Sequence, residues 1–209
     1  MTENTSAAAG LAGSAAPAAR EGSSRRLRAD AQRNIGSLLE AAKAVFGTSG
    51  VDAPAKEIAG LAGVGVGTLY RHFPQRSDLV KAVLEREINA CADAASTLSA
   101  AYEPVAALAN WLRRYTEFLA TKRGLAAALH SGDPAFDALP GYFMGRVGPA
   151  LESLLEAATA SGEIRTGISS NDLLIAVANL SLPVADEGVA YSQRMVALLI
   201  DGLRYTERT

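Results

Sequence analysis

Residues 58–73 read IAGLAGVGVGTLYRHF, and this stretch decides the fold of the region around it. Small and apolar residues at helical spacing lead into a glycine-rich turn, after which a second short segment runs to a proline. Two short helices joined by a glycine-containing turn are typical of the helix-turn-helix motif. The pattern therefore predicts a helix over residues 55–62, a tight turn at 63–65, and a second helix over residues 67–73.

The positions of this motif carry the residue types that two closely packed short helices require. Ala59 is small enough for the helices to approach each other, and Gly63 tolerates the unusual backbone angles of a tight turn. Val64 can fill the gap between the helices, while Leu69 can anchor the second helix inward. The exposed face of that helix offers hydrogen bonds and charge to DNA through Thr68, Tyr70, Arg71 and His72.

Helical periodicity continues on both sides of the motif, so the predicted fold class is all-α. Upstream, residues 25–48 place apolar side chains at the spacing of one helical face. Downstream, the spacing predicts helices near residues 78–98, 103–121, 124–130, 147–161, 170–182 and 191–204. No segment alternates convincingly with the period of a strand, and no internal repeat is visible.

Length and charge indicate a chain of two parts with different functions. The 209 residues are 49% hydrophobic and 20% charged, enough for one large domain or two small ones with a sizeable core. The net charge is −2, yet residues 20–81 contain ten Lys and Arg against six Asp and Glu, a net +4. Residues 82–209 carry a net −5. This asymmetry predicts an anion-binding head on a different kind of body.

Cysteine and histidine content argues against several kinds of site. Cys91 is the single cysteine, so no disulfide can form within the chain, and a reducing cytoplasmic setting fits. His72 and His130 are far apart in sequence, so neither a zinc site nor another metal or cofactor site is predicted.

No apolar run approaches the roughly 20 residues that span a bilayer. Residues 1–24 are rich in Ala, Gly and Ser, which predicts a disordered tail rather than a secretory signal.

Residues 58–73 strongly resemble the DNA-binding signature of the tetracycline-repressor (TetR) family, and residues 74–79, PQRSDL, resemble that family's entry into its fourth helix. The resemblance covers roughly residues 28–80. Residues 120–132, ATKRGLAAALHSG, resemble a TetR subgroup with an SbtR-like C-terminal domain. The resemblance implies a homodimer that binds a palindromic operator in double-stranded DNA and is released by a small-molecule ligand.

The family pattern also implies roles for individual residues of the motif. Thr68, Tyr70 and His72 are expected to face DNA phosphates, while Val66 and Gly67 open the recognition helix near base edges. The full set of expected DNA contacts is Lys56, Val66, Gly67, Thr68, Tyr70, Arg71, His72 and Arg76. His72 packing on the next helix, and a merely solvated Arg76, remain open alternatives. The basic residues Arg25, Arg26 and Arg28 are either a DNA-contacting arm or a solvated one.

One position departs from the family pattern. Gly65 stands where Ser often caps the recognition helix, and glycine has no side-chain acceptor. Val66 and Gly67 likewise cannot hydrogen-bond to base edges through their side chains. Direct readout is therefore expected to depend on Arg71, Thr68, Lys56 and apolar contact from Val66 to thymine methyl groups. Sequence preference is expected to depend more than usual on DNA shape.

The predicted organisation is a tail at 1–24, a DNA-binding head at 25–73, and a ligand-binding and dimerisation body at 74–209. Aromatic residues of the body either line an apolar ligand cavity or fill the core, and the expected ligand contacts are Trp111, Tyr115, Phe118, His130 and Phe143. The last two helices are expected to form the dimer contact. No paired catalytic residues are visible, so an enzyme is not predicted. The alternative is a helical small-molecule-binding protein whose helix-turn-helix no longer reads DNA.

Overall fold

In the computed structural model the described residues are 17–182 and 188–204, and side chains are described for 30–182 and 189–204. All regular structure within these ranges is helical, which confirms the all-α prediction. The α-helices are α1 (Pro17–Ser49), α2 (Ala55–Leu61), α3 (Val66–His72), α4 (Arg76–Ala101), α5 (Pro104–Gly124), α6 (Ala126–Leu129), α7 (Leu139–Ala160), α8 (Ser170–Leu180) and α9 (Gly188–Arg204), and a 3₁₀ turn occupies Pro134–Phe136.

The largest differences in helix start are at α1 and α7, each of which begins eight residues before its sequence pattern predicts. α1 starts at Pro17, so the tail predicted for residues 1–24 overlaps the first turns of this helix, and residues 1–16 lie outside the described residues. Proline suits a first helical position, and the Ala and Arg residues that follow are strong helix formers. The predicted start of α1 at residue 25 is therefore wrong.

α7 starts at Leu139, eight residues before the predicted start at residue 147, although its first turns contain glycine and proline. Contacts with α4 explain the difference, because the Tyr142 hydroxyl donates a hydrogen bond to Asn89 Oδ1 at 2.8 Å. Arg146 adds an ion pair to Asp93 at 2.7 Å. Tertiary contacts of this kind override weak local propensity.

Helix α4 is the structural centre of the chain, since it packs against α1, α5 and α7. Its capping box pairs Gln75 with Asp78, whose carboxylate accepts a hydrogen bond from the Gln75 N–H at 2.9 Å. Its buried face carries Leu79, Val80, Val83, Leu84, Ile88, Cys91 and Ala95. One continuous hydrophobic core therefore runs from α1 through α4 into the C-terminal helices.

In the described ranges, no helix combines the length and the apolar character needed to cross a membrane.

Candidate nucleic-acid interface

A Schellman motif forms the turn between α2 and α3. The Val64 N–H donates to the Ala59 carbonyl at 3.0 Å, and the Gly63 N–H donates to the Gly60 carbonyl at 3.2 Å. Gly63 has φ +69°, a left-handed conformation that favours glycine. Ala59 is buried, and Val64 is half-buried against the core. The roles predicted for these small and branched residues are confirmed.

Helix α3 is anchored by one side chain and exposes its opposite face. Leu69 is buried with 3% of its surface exposed, whereas Tyr70 is 53% exposed. Arg71 and Gly67 are also exposed, on the same outward side. Gly65 caps the helix in an extended conformation without a side-chain hydrogen bond, as its lack of a side chain dictates. The outward face therefore offers a hydroxyl, a guanidinium and an open approach to the backbone.

The other predicted contacts of this region are arranged around that face. Val66, Thr68 and His72 are half-buried, so each presents only part of its side chain to solvent. The His72 ring lies 6.4 Å from that of Phe73, centroid to centroid. Lys56 is exposed in the first turn of α2. For the arm residues Arg25, Arg26 and Arg28, the side chains lie outside the described residues.

Arg76, the first residue of α4, contacts the head in a way that its position in the sequence does not reveal. Its guanidinium donates a hydrogen bond to the carbonyl oxygen of Ala53, immediately before α2, and its Cζ lies 5.5 Å from the centre of the Phe46 ring. The half-buried side chain thus joins α1, the α1–α2 connection and α4. A merely solvated Arg76 does not agree with these contacts, while a phosphate contact stays a prediction.

A second candidate site lies in the body, where α4, α5, α6, α7 and the 3₁₀ turn line a cavity of about 460 Å³ that is partly open to solvent. Phe118, His130 and Phe143 line it, while their contact with a ligand stays a prediction. Several other residues line the cavity without having been predicted from the sequence, among them Leu84 and Ile88 of α4, Lys122 of α5 and Met144 of α7. Their apolar helical spacing is the same for a cavity wall and for a core, so periodicity alone gives no signal.

Trp111 and Tyr115 do not line the cavity, so their predicted ligand contacts are not supported. Trp111 is completely buried, and its Nε1–H donates to the Cys91 carbonyl oxygen at 2.8 Å. Tyr115 stacks between Trp111 and Phe118, with ring centroids 5.8 and 6.0 Å away. Burial raises the pKa of the Tyr115 hydroxyl and of the Cys91 thiol, the latter to about 12. These side chains form the core behind the cavity wall.

Ion pairs that sequence spacing did not reveal connect the head to α4. Lys43 Nζ lies 2.7 Å from the buried Glu87 carboxylate, and Arg114 Nη2 of α5 lies 3.9 Å from the same Glu87 oxygen. Arg86, the residue before Glu87 on α4, donates hydrogen bonds to the Gly36 carbonyl at 2.9 Å and to the Glu40 carboxylate at 2.6 Å. The Lys43–Glu87 and Arg86–Glu40 pairs together are called the α1–α4 clamp below.

A helix-turn-helix with an exposed outer face, mounted on a helical body that contains a cavity, defines a DNA-binding regulator. Family models match two parts of the chain: "Bacterial regulatory proteins, tetR family" at residues 38–83, and "Transcriptional regulator SbtR-like, C-terminal domain" at residues 103–205. The chain belongs to the TetR family of transcriptional regulators, as its sequence motif predicts.

Solved structures agree over most of the chain. A TetR transcriptional regulator from Streptomyces coelicolor is 37% identical, with a TM-score of 0.73, over 82% of this chain and 99% of that one. A TetR regulatory protein from Mycobacterium vanbaalenii is 35% identical, with a TM-score of 0.67, over 86% of this chain and 99% of that one.

The curated relatives match in a shorter region. An HTH-type transcriptional regulator from Staphylococcus aureus is 39% identical over 64 residues, which is 30% of this chain. The matched region spans 35% of the length of that relative, about a third.

Proposed function

We propose that this protein is a cytoplasmic, homodimeric repressor that binds a palindromic operator and is released from it by a small-molecule effector. In this proposal residues 25–73 form the DNA-binding head, and residues 74–209 form the effector-binding and dimerisation body. The observation that carries the proposal is the outer face of α3, where Tyr70 and Arg71 are exposed while Leu69 anchors the helix.

DNA binding by this face follows from its chemistry. Arg71 can donate to phosphate or to the acceptors of guanine, and Tyr70 can donate its hydroxyl to phosphate. Gly67 leaves the backbone open to close approach, and Lys56 adds a positive charge from α2. Val66 has no polar side-chain atom, so it reads DNA only through apolar contact with thymine methyl groups.

Dimerisation is supported by apolar side chains that the isolated chain leaves uncovered. Ile175 of α8 is 52% exposed and Leu198 of α9 is 63% exposed, although both helices bury their opposite faces. A second copy would cover these side chains. It would also place two α3 helices on successive major grooves, about 34–36 Å apart. Two linked contacts multiply affinity without any new kind of interaction.

Release by an effector is supported by the position of the cavity on α4. Leu84 and Ile88 line it, and the clamp residues Arg86 and Glu87 lie between them on the same turn of α4. A ligand that fills the cavity would favour arrangements of α4 that shift the head through the α1–α4 clamp. The change is a population shift toward a head spacing that fits the operator less well.

The decisive experiment measures binding of the purified protein to the promoter of its own gene by fluorescence anisotropy at several salt concentrations. We expect affinity to fall steeply with salt, because phosphate contacts release counterions. Arg71→Ala should weaken binding and lower the salt slope by about one, whereas Tyr70→Ala should weaken binding without loss of folding. Arg113→Ala, an exposed guanidinium on α5, serves as the matched control and should change neither.

The second candidate function is a small-molecule-binding protein whose helix-turn-helix has lost DNA binding. The observation that favours it is the pair Val66 and Gly67, which carry no hydrogen-bonding side chain at the start of α3. Weak DNA affinity that is insensitive to salt and to Arg71→Ala would support this candidate and refute the repressor.

A further inference from the structure

The cavity in the body has walls of one chemical kind. Most of its lining side chains are apolar, including Leu84, Ile88, Phe118, Phe136, Phe143 and Met144. Phe118 and Phe143 lie with their ring planes at 15° and their centroids 5.5 Å apart, so the two rings stack on each other in the wall. A volume of about 460 Å³ is within the range of natural small-molecule sites. The main part of any ligand that fits must therefore be apolar.

The polar side chains that line the cavity also share one property, because they can donate hydrogen bonds. Among the described lining residues, Lys122 and His130 are the two with polar side chains, and both can donate hydrogen bonds. No described carboxylate lines the cavity, and in the described part of the chain none forms an ion pair with Lys122. Acids close to the lining residues in sequence have other partners or face solvent. Glu87 pairs with Lys43 at 2.7 Å, Glu117 pairs with Arg114 at 2.8 Å, and Asp133 accepts a hydrogen bond from the Ala135 N–H at 2.9 Å, while Asp137 is exposed.

We propose that this cavity binds an apolar monocarboxylate, an inference that rests on the proposed role of the cavity as effector site. The carboxylate lies against the Lys122 ammonium and the His130 ring N–H, and the apolar body occupies the space between α4 and α7. Charge-assisted hydrogen bonds to a carboxylate are stronger than those between neutral groups. An alcohol of the same shape lacks this contact, and an amine of the same shape meets like charge at Lys122.

The test is isothermal titration calorimetry of the full chain, without DNA, against two matched pairs: decanoate with decanol, and naphthoate with naphthol. Because Lys122 and His130 are both exposed to solvent, we expect at least one carboxylate to bind about three- to fivefold more tightly than its neutral partner. Lys122→Met should remove this preference while leaving the neutral compound's Kd unchanged, and Lys122→Arg should retain it. Lys81→Met, which removes a lysine outside the cavity, is the control and should behave as the parent protein does.

Three results would overturn the proposal: no binding of either pair, equal binding within both pairs, or an equal loss for carboxylate and neutral compound in Lys122→Met. Thermal unfolding of each variant separates these from a failure to fold. Because the titrations contain no DNA, absence of operator binding would refute the proposed repressor and leave the carboxylate result standing. Carboxylate binding that does not change DNA affinity would refute effector release alone.

Discussion

The Lys43 ammonium on α1 lies 2.7 Å from the Glu87 carboxylate on α4, and this ion pair fastens the helix-turn-helix head to the body. The Glu87 side chain is only 6% exposed, so the cations around it offset the cost of burying its charge. Arg114 of α5 lies 3.9 Å from the same oxygen. The Glu87 carboxylate is thus the point where α1, α4 and α5 meet. Glu87 directly precedes Ile88, which lines the cavity.

Removal of the Lys43 charge should destabilise the protein. In Lys43→Met the aliphatic stem is kept, but Glu87 retains only the more distant Arg114. Because Lys43 is a third exposed, solvent screens part of the loss, and we expect the free energy of unfolding to fall by about 1–2 kcal/mol. Urea denaturation measures it.

Lys81→Met is the matched control for this change. The carboxylate of Glu85, the partner of Lys81, lies 4.0 Å from the ammonium on the same helix, and both side chains are more than a third exposed. The free energy of unfolding should therefore change by no more than about 0.5 kcal/mol. Equal effects of the two substitutions would show that the Lys43–Glu87 pair adds nothing beyond an ordinary surface pair.

Arg76→Ala should lower both the stability of the head and its DNA affinity. The substitution removes the hydrogen bond to the Ala53 carbonyl and the contact with Phe46. Thermal unfolding and fluorescence anisotropy, measured on the same samples, give the two effects. Arg76→Lys keeps the charge but not the planar guanidinium, so it should rescue neither fully. If Arg76→Ala weakened DNA binding with no change in stability, Arg76 would be a phosphate contact alone.

Gly63→Ala should destabilise the α2–α3 turn by about 1–2 kcal/mol. Apart from Gly63 itself and its two chain neighbours, no heavy atom lies within 4 Å of the Cβ it would gain, so the effect arises from its φ of +69° and not from a clash. Gly60→Ala is the comparison, because that glycine lies inside α2 and its added Cβ also meets nothing within 4 Å. Gly60→Ala should raise the free energy of unfolding by about 0.5–1 kcal/mol. Chemical denaturation of both variants tests the opposite signs.

The helix-turn-helix could be predicted because its determinants are local. Ala59, Gly63 and Leu69 act within a few residues of one another, and each residue type restricts the backbone or the packing by itself. The same is true of the all-α fold class, which follows from the spacing of apolar residues. Family membership followed from the same stretch.

The cavity and the clamp could not be predicted, since both depend on distant parts of the chain. Lys43 and Glu87 are 44 positions apart, and no local pattern marks them as partners. Trp111 and Phe118 lie on the same buried face of α5, but only the packing of α7 places one in the core and the other at the cavity. Helical periodicity identifies a buried face without indicating whether it meets protein or empty space.

Cys91 should be unreactive toward thiol reagents in the folded protein. It is fully buried, and burial raises the pKa of its thiol from 9.0 to about 12, so the reactive thiolate is suppressed. The unfolded chain ionises its thiol near pH 9, and this ionisation favours unfolding as the pH rises from there toward 12. Labelling at pH 8 should therefore follow unfolding, and rapid labelling of the native protein would contradict the buried position.

Leu198→Glu should convert the proposed dimer into monomers and thereby weaken operator binding. Leu198 is 63% exposed on α9 of the isolated chain, so the folded monomer tolerates a charge there, whereas an apolar dimer contact does not. Loss of the second recognition helix should reduce affinity by at least about a hundredfold. Sedimentation and anisotropy, measured at the same protein concentrations, separate assembly from DNA contact. Tyr102→Glu, at a 52% exposed position after α4, is the control and should leave both unchanged. A Leu198→Glu variant that remains dimeric would place the subunit contact elsewhere than α9.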